Sequence, residues 1–132
     1  MSADSAFDRT PVNRWLGFRL VERTGERVVV EQDVRDEMLQ EAGLVQGGLL
    51  TALADTAAVY LLWPDLGEAR TMTGTNASVQ FLAAARADAG PLTATATPVR
   101  VGRRLAVCES VVRQADRLVC KGTFTFLITE QA

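Results

Sequence analysis

The stretch from residue 47 to residue 62, GGLLTALADTAAVYLL, is apolar at nearly every position around a helical turn; beyond its threonines, Asp55 and Tyr60 are its only strongly polar residues. A surface helix carries one apolar stripe, so a helix apolar all round is wrapped by other structure. Trp63 and Pro64 end it, because proline lacks the backbone donor that the next turn requires.

Further along, the period changes. In LVCKGTFTFLI, Leu118, Cys120, Phe124, Phe126 and Ile128 fall on one face, and Lys121, Thr123 and Thr125 on the other. That two-residue alternation marks a half-buried strand. Strands are predicted over about 71–82, 91–101, 103–114 and 117–129, separated by AAARADAGP, RVGRR and RQADR. A two-residue turn at Ala115 and Asp116 then sets Cys120 opposite Val111.

Before the long helix, RTPVNRWLG reads as a short helix with Thr10 as N-cap, Pro11 at its first position and Gly17 just past its end. FRLVE and RVVVEQDV flank RTGE, where Gly25 suits a tight reversal, so residues 18–34 form a predicted hairpin. The polar loop RDEMLQEAGLVQ leads into the helix.

Strands gathered around one helix predict a single α+β domain over 1–132, an antiparallel sheet of about six strands wrapped around a central helix. Six strands cannot enclose the helix on every side. The uncovered apolar flank implies a second subunit, most simply across a two-fold axis.

The composition narrows the chemistry. With 132 residues, 48% of them hydrophobic, the chain supports one core, and its net charge of −2 offers no basic field for nucleic acid. No run is apolar for long enough to span a membrane and the start lacks a signal pattern, so the expected location is cytoplasmic. Cys108 and Cys120 read as small core residues, with no metal-ligand set around them. Histidine is absent, which removes imidazole bases and the Ser-His and Cys-His nucleophile systems. Chemistry must then rest on carboxylates, hydroxyls and backbone amides.

Two features of QEAGLVQGGLLTALADTA stand out. A helix start leaves backbone N–H groups without intrahelical partners, and Gly47 and Gly48 there would let a ligand's oxygen approach them; the same glycines also suit close packing beneath the sheet. Asp55 in an apolar helix needs either a satisfying partner, for which Thr51 and Thr56 are candidates, or a task. Eight residues at 1.5 Å each set Asp55 about 12 Å along the axis from Gly47, so one helix cannot bring both to one carbonyl. Two copies packed antiparallel can.

These residues, together with VGRRLAVCESVVRQADRLVCKGTFTFLI, resemble a hotdog-fold acyl-CoA thioesterase of the phenylacetate-degradation (PaaI) type, in the 4-hydroxybenzoyl-CoA thioesterase superfamily, from about residue 12 to 129. The resemblance implies that the Gly47 amide polarises the thioester carbonyl and that Asp55, from the opposite subunit, is the catalytic carboxylate. It also implies that Gln40 holds the attacking water or the carboxylate. Gln46 stands where many relatives have histidine, and can orient a group but not act as a base. Gly74 falls where relatives often place Ser or Thr, leaving Thr73 or Thr75 as substitutes.

Gly48 and Phe81 are further candidates for substrate contact, with Leu50 and Tyr60 around the acyl group. Gly102, Arg103 and Arg104 are candidates for coenzyme A phosphate, against the alternative of a solvated basic loop. The implied partners are an acyl-CoA and further copies of the chain, as a homodimer or homotetramer, with no cofactor beyond the coenzyme A of the substrate. Two other readings stand beside this one. A non-catalytic acyl-CoA binder fits the change to Gln46, whereas a hotdog dehydratase is opposed by the absence of histidine.

Overall fold

The computed structural model describes residues 2–131. Its centre is α3 (Gly47–Leu62), with the bounds that the sequence predicts, followed by a 3-10 turn at Trp63–Asp65. Six strands form one antiparallel sheet: β1 (Phe18–Arg23), β2 (Val28–Gln32), β3 (Arg70–Phe81), β4 (Leu92–Val101), β5 (Leu105–Gln114) and β6 (Arg117–Glu130). The strand order β1-β2-β4-β5-β6-β3 leaves β1 and β3 as the two edges. This is the hotdog arrangement, in which the sheet curls over a single helix.

Helix α3 crosses β2, β4, β5 and β6. Small residues line both sides of that contact: Ala54, Ala57 and Ala58 on the helix, and Ala94, Ala96 and Ala106 on the sheet, are all fully buried. Short side chains bring the helix close to the strands, and Leu53 and Leu61 fill what space remains. On the other side of the helix, Gly48, Ala52, Asp55 and Val59 stay at least partly open, a stripe at spacings of four, three and four. The sheet leaves this flank uncovered.

Two long side chains fix the surroundings of the helix. Arg23 donates from Nε to the Tyr60 carbonyl at 2.9 Å and from Nη2 to that of Leu61 at 3.3 Å, and pairs with Asp65 at 2.9 Å. It thereby satisfies open carbonyls at the negative end of the helix. Gln114 accepts from the Arg86 amide at 2.8 Å and donates to the carbonyls of Arg86 and Gly90 at 2.7 and 2.9 Å, which holds the reversal before β4.

The structure departs from sequence expectation in several places. A first helix, α1 (Ala3–Arg9), precedes α2 (Pro11–Leu16), and its Phe7 packs edge-on against Tyr60 at 4.8 Å. Tyr60 is thereby a core residue. Thr10 caps α2 through its backbone position, but its hydroxyl donates to Ala6 instead. In the β1–β2 turn Gly25 does not adopt a positive φ; the Thr24 hydroxyl accepts from the amides of Glu26 and Arg27 and shapes the reversal.

The β5–β6 turn at Ala115 and Asp116 has both residues at positive φ, as a two-residue hairpin loop requires. A bulge at Val119 then shifts the register, so Cys120 faces Val112 and not Val111. The extra residue also turns Leu118 out of the core and Val119 into it. Cys108 and Cys120 are buried free thiols whose pKa burial pushes up to about 11.

Candidate active site

The open flank of α3 and the edge strand β3 enclose a groove of about 470 Å³, with Asp55 on one wall, Gly74 to Ala77 on the other, and Phe124 and Phe126 as its floor. Within the single chain Asp55 is exposed to this groove, which corrects the expectation of a buried carboxylate. The apolar walls still desolvate it and raise its pKa above the ordinary carboxylate range. No hydrogen bond reaches it among the described residues: the Thr51 hydroxyl donates to the Gly47 carbonyl at 3.1 Å, and Thr56 makes no bond to it. Neither threonine supplies the structural partner considered from sequence.

At the front of the helix, Gln46 occupies the N-cap position with no side-chain capping bond, while its carbonyl accepts from the amides of Leu49 and Leu50 at 3.0 and 3.4 Å. The amides of Gly47 and Gly48 meet no acceptor among the described residues. They form an open pair of donors at the positive end of a 16-residue helix. The Phe81 ring lies over Gly47: a Cβ there would come within 3.0 Å of it. Gly48 is less crowded, with only the Gln46 amide near, at 3.5 Å.

Gln40 and Gln46 share a different hollow, with Glu37, Glu41 and Leu49 around them. The Gln40 side-chain oxygen accepts from the amides of Ala42 and Leu44 at 2.6 and 3.3 Å, closing its own loop. In one chain it does not face Asp55.

On β3 a bulge separates Gly74, paired with Phe126, from Asn76, paired with Thr125. The extra residue is Thr75, which lines the groove together with Gly74. Thr73 instead pairs with the outward Leu127 and takes no part in the groove wall. Asn76 also borders the groove; strict alternation would set it on the face of Gly74, and the bulge pairs it instead with Thr125 and brings Ala77 opposite Phe124.

The RVGRR segment forms the β4–β5 turn. Gly102 is required by space, since a Cβ would stand 2.9 Å from the Leu105 carbonyl oxygen. Arg103 and Arg104 border a hollow of about 370 Å³ at the far end of β3 and β6, where they are joined by Arg70. Among the described residues no group of three or more Cys, Asp or Glu side chains is placed to hold a metal ion. Among the described residues no helix is long and apolar enough to cross a membrane.

The family model described as "Thioesterase superfamily" matches residues 42–121, which include the glycine pair, Asp55, β3 and the arginine turn. The chain belongs to the thioesterase superfamily. Among curated proteins it is 28% identical over 116 residues to a Mycobacterium tuberculosis protein provisionally named an esterase, Rv1847, covering 85% of this chain and 81% of that one. It is 30% identical over 82 residues to a Haemophilus influenzae protein also provisionally named an esterase, covering 62% and 58%.

Among solved structures, S. sahachiroi AziG superposes with a TM-score of 0.87 at 29% identity, covering 92% of this chain and 98% of that one. The H. influenzae thioesterase HI1161 superposes with a TM-score of 0.85 over 96% of this chain and 87% of that one; at 24% identity this speaks for the fold. The family model spans α3 and β3, the two walls of the groove, and ends before Phe124 and Phe126 of its floor.

Proposed function

We propose that the protein hydrolyses a small acyl-CoA thioester, aromatic acyl groups included, to the free acid and coenzyme A at a site shared between two subunits. The observation that carries this reading is the separation of its two halves. Asp55 lies desolvated and unpartnered in the groove, while the free amides of Gly47 and Gly48 lie about 12 Å away along the same helix. A second copy across a two-fold axis sets the Asp55 of one subunit against the glycine amides of the other.

In that arrangement the thioester carbonyl accepts from the Gly47 amide, so charge developing on its oxygen meets fixed donors at a helix start. Asp55 then removes a proton from the attacking water, or attacks the carbonyl carbon itself to give an anhydride that water opens. Gln40 and Gln46, carried on the loop before the glycines, orient the water and the substrate. Thr75 and Gly74 form the wall beside the acyl group. The minimal unit is a homodimer, two of which make a homotetramer, acting in the cytoplasm where free coenzyme A thioesters are made.

The test is thiol release from short, medium, aromatic and hydroxylated acyl-CoAs by wild type and Asp55→Asn. Turnover that collapses in a variant with unchanged fold and assembly supports the reading. A wild type that binds these esters without turnover would instead establish an acyl-CoA-binding protein, the outcome that Gln46 in place of histidine favours.

A further inference from the structure

The two aromatic rings that floor the Asp55 groove, Phe124 and Phe126, are seated differently. Phe126 faces Gly74 across the β3–β6 pair, and a Cβ on Gly74 would stand 3.7 Å from its ring, an ordinary contact. Phe124 pairs with Ala77, but its ring lies back along its own strand over Gly122. A Cβ on Gly122 would stand 2.6 and 3.0 Å from two atoms of that ring, and 3.3 Å from Cγ2 of Val79, the residue paired with Gly122 on β3. Carbon atoms in contact sit about 3.5–4.0 Å apart, so no residue larger than glycine fits beneath the ring where it lies.

Glycine is otherwise a poor choice at this position. Strand β6 lies between β5 and β3, and a glycine inside a strand gives up side-chain packing and loses more conformational freedom on folding. Gly122 has no positive φ to account for it. The three atoms nearest to its Cβ position come from Phe124 and Val79 and none from α3, so the space is kept for the ring and not for the helix.

The ring in turn bounds the groove. Phe124 is 2% exposed and packed within the core, and the recess of about 470 Å³ that holds Asp55 is the open space beside it. The walls of that recess are short side chains, such as Thr51, Ala52 and Ala77, so its depth is decided by the two rings. Any side chain at position 122 drives the Phe124 ring off its own strand and into the recess. Gly122 therefore controls the groove without lining it.

We propose that Gly122 is a positioning residue that, through Phe124, sets the depth of the Asp55 groove and so limits the acyl group to a compact one that ends against Phe124 and Phe126. The inference rests on the thioesterase reading for the ligand's identity, and adds to it a size limit and the residue behind it.

The assembled protein is titrated calorimetrically with three thioethers that cannot be hydrolysed, S-ethyl-, S-benzyl- and S-naphthylmethyl-coenzyme A, in wild type, Gly122→Ala, Phe124→Leu and the double variant. Turnover of acetyl- and benzoyl-coenzyme A is followed beside it. Gly122→Ala is expected to weaken the benzyl thioether about tenfold or more relative to the ethyl thioether, with KM for the benzoyl ester rising in parallel. Leucine has no ring atoms to lie over position 122, so the double variant should regain the selectivity of Phe124→Leu. Phe124→Leu alone deepens the groove and should tighten the naphthylmethyl thioether relative to wild type. Equal weakening of the ethyl and benzyl thioethers in Gly122→Ala, as a general loss of packing would give, or no recovery in the double variant, overturns the inference. If Gly122→Ala does not fold, unchanged naphthylmethyl binding in Phe124→Leu overturns it. Size selectivity that depends on Gly122 in a protein that hydrolyses neither ester sinks the hydrolytic reading and leaves the depth limit standing, whereas a wild type that binds no thioether overturns both.

Discussion

The two edges of the sheet are built differently. Strand β1 has six residues, a bulge at Val21, and charged side chains at Arg19, Glu22 and Arg23, each engaged in an ion pair. Strand β3 has twelve residues, carries no charge after Arg70, and is exposed without interruption from Thr73 to Ser78. Short length, bulges and charges are what keep an edge from pairing with another chain. Both edges carry a bulge, at Val21 and at Thr75, but by length and charge β1 is built to remain an edge and β3 to be covered, and the candidate active site lies along β3. The unfinished edge and the unfinished site coincide, as a shared site requires.

The contrast is sharpened most by removing the chemistry from the β3 side while leaving its edge intact. Asp55→Asn is expected to lower kcat by about 10²–10⁴-fold with no change in assembly, measured by thiol release and gel filtration. Its effect on stability has the opposite sign. Desolvation by the groove walls raises the Asp55 pKa, so its contribution favours the fold at low pH and is lost as pH rises through the folded-state value. At neutral pH the charged Asp55 therefore opposes folding, and Asp55→Asn should melt at the same temperature as wild type or higher. For the same reason kcat/KM should rise with pH along an acidic limb whose midpoint lies above 3.8, the ordinary carboxylate value.

Next in size is a charge placed on the exposed edge. Ser78→Lys should dissociate the assembly and reduce activity at least tenfold, because each half-site then lacks its complement. The same change on the guarded edge, Val21→Lys, should alter neither. A smaller difference separates the two glycines. Gly47→Ala forces the Phe81 ring to move and should lower kcat/KM about tenfold, while Gly48→Ala meets a less crowded position and should cost less than threefold. The smallest effect on chemistry comes from the β1 side: Arg23→Ala uncovers helix carbonyls and should lower stability by about 1–3 kcal/mol, read by denaturant unfolding, with kcat unchanged.

The central helix was legible in the sequence because both of its ends are marked, by Gly47 at the start and by Trp63 and Pro64 at the finish. The four later strands were legible to within two residues because alternation and turn residues agree. The bulges at Thr75 and Val119 were not, since a bulge is decided by what the neighbouring strand and the core accept, and period-two reading assumes that none is present. The helix α1 was missed because ADSAFDR carries only one residue, Phe7, that the core buries. Arg23 and Gln114 act through bonds that span 24 to 38 residues, which no local pattern reports. At the site, the residue types were legible in Gly47 and Asp55, while their surroundings required the fold: Thr73 points away, Asn76 borders the groove, and Gln40 closes its own loop.

The central claim is that one working site takes Asp55 from one subunit and the Gly47 amide from the other. The most direct test is complementation between two inactive variants, Asp55→Asn and Gly47→Val, unfolded together and allowed to reassemble. A mixed dimer holds one site with both native residues and one with neither. Random mixing makes half of the dimers mixed, so the mixture should recover about a quarter of wild-type activity from two parents that have almost none. If mixed dimers form and the mixture stays as inactive as its parents, Asp55 and Gly47 do not act across the subunit boundary and the shared-site account is wrong.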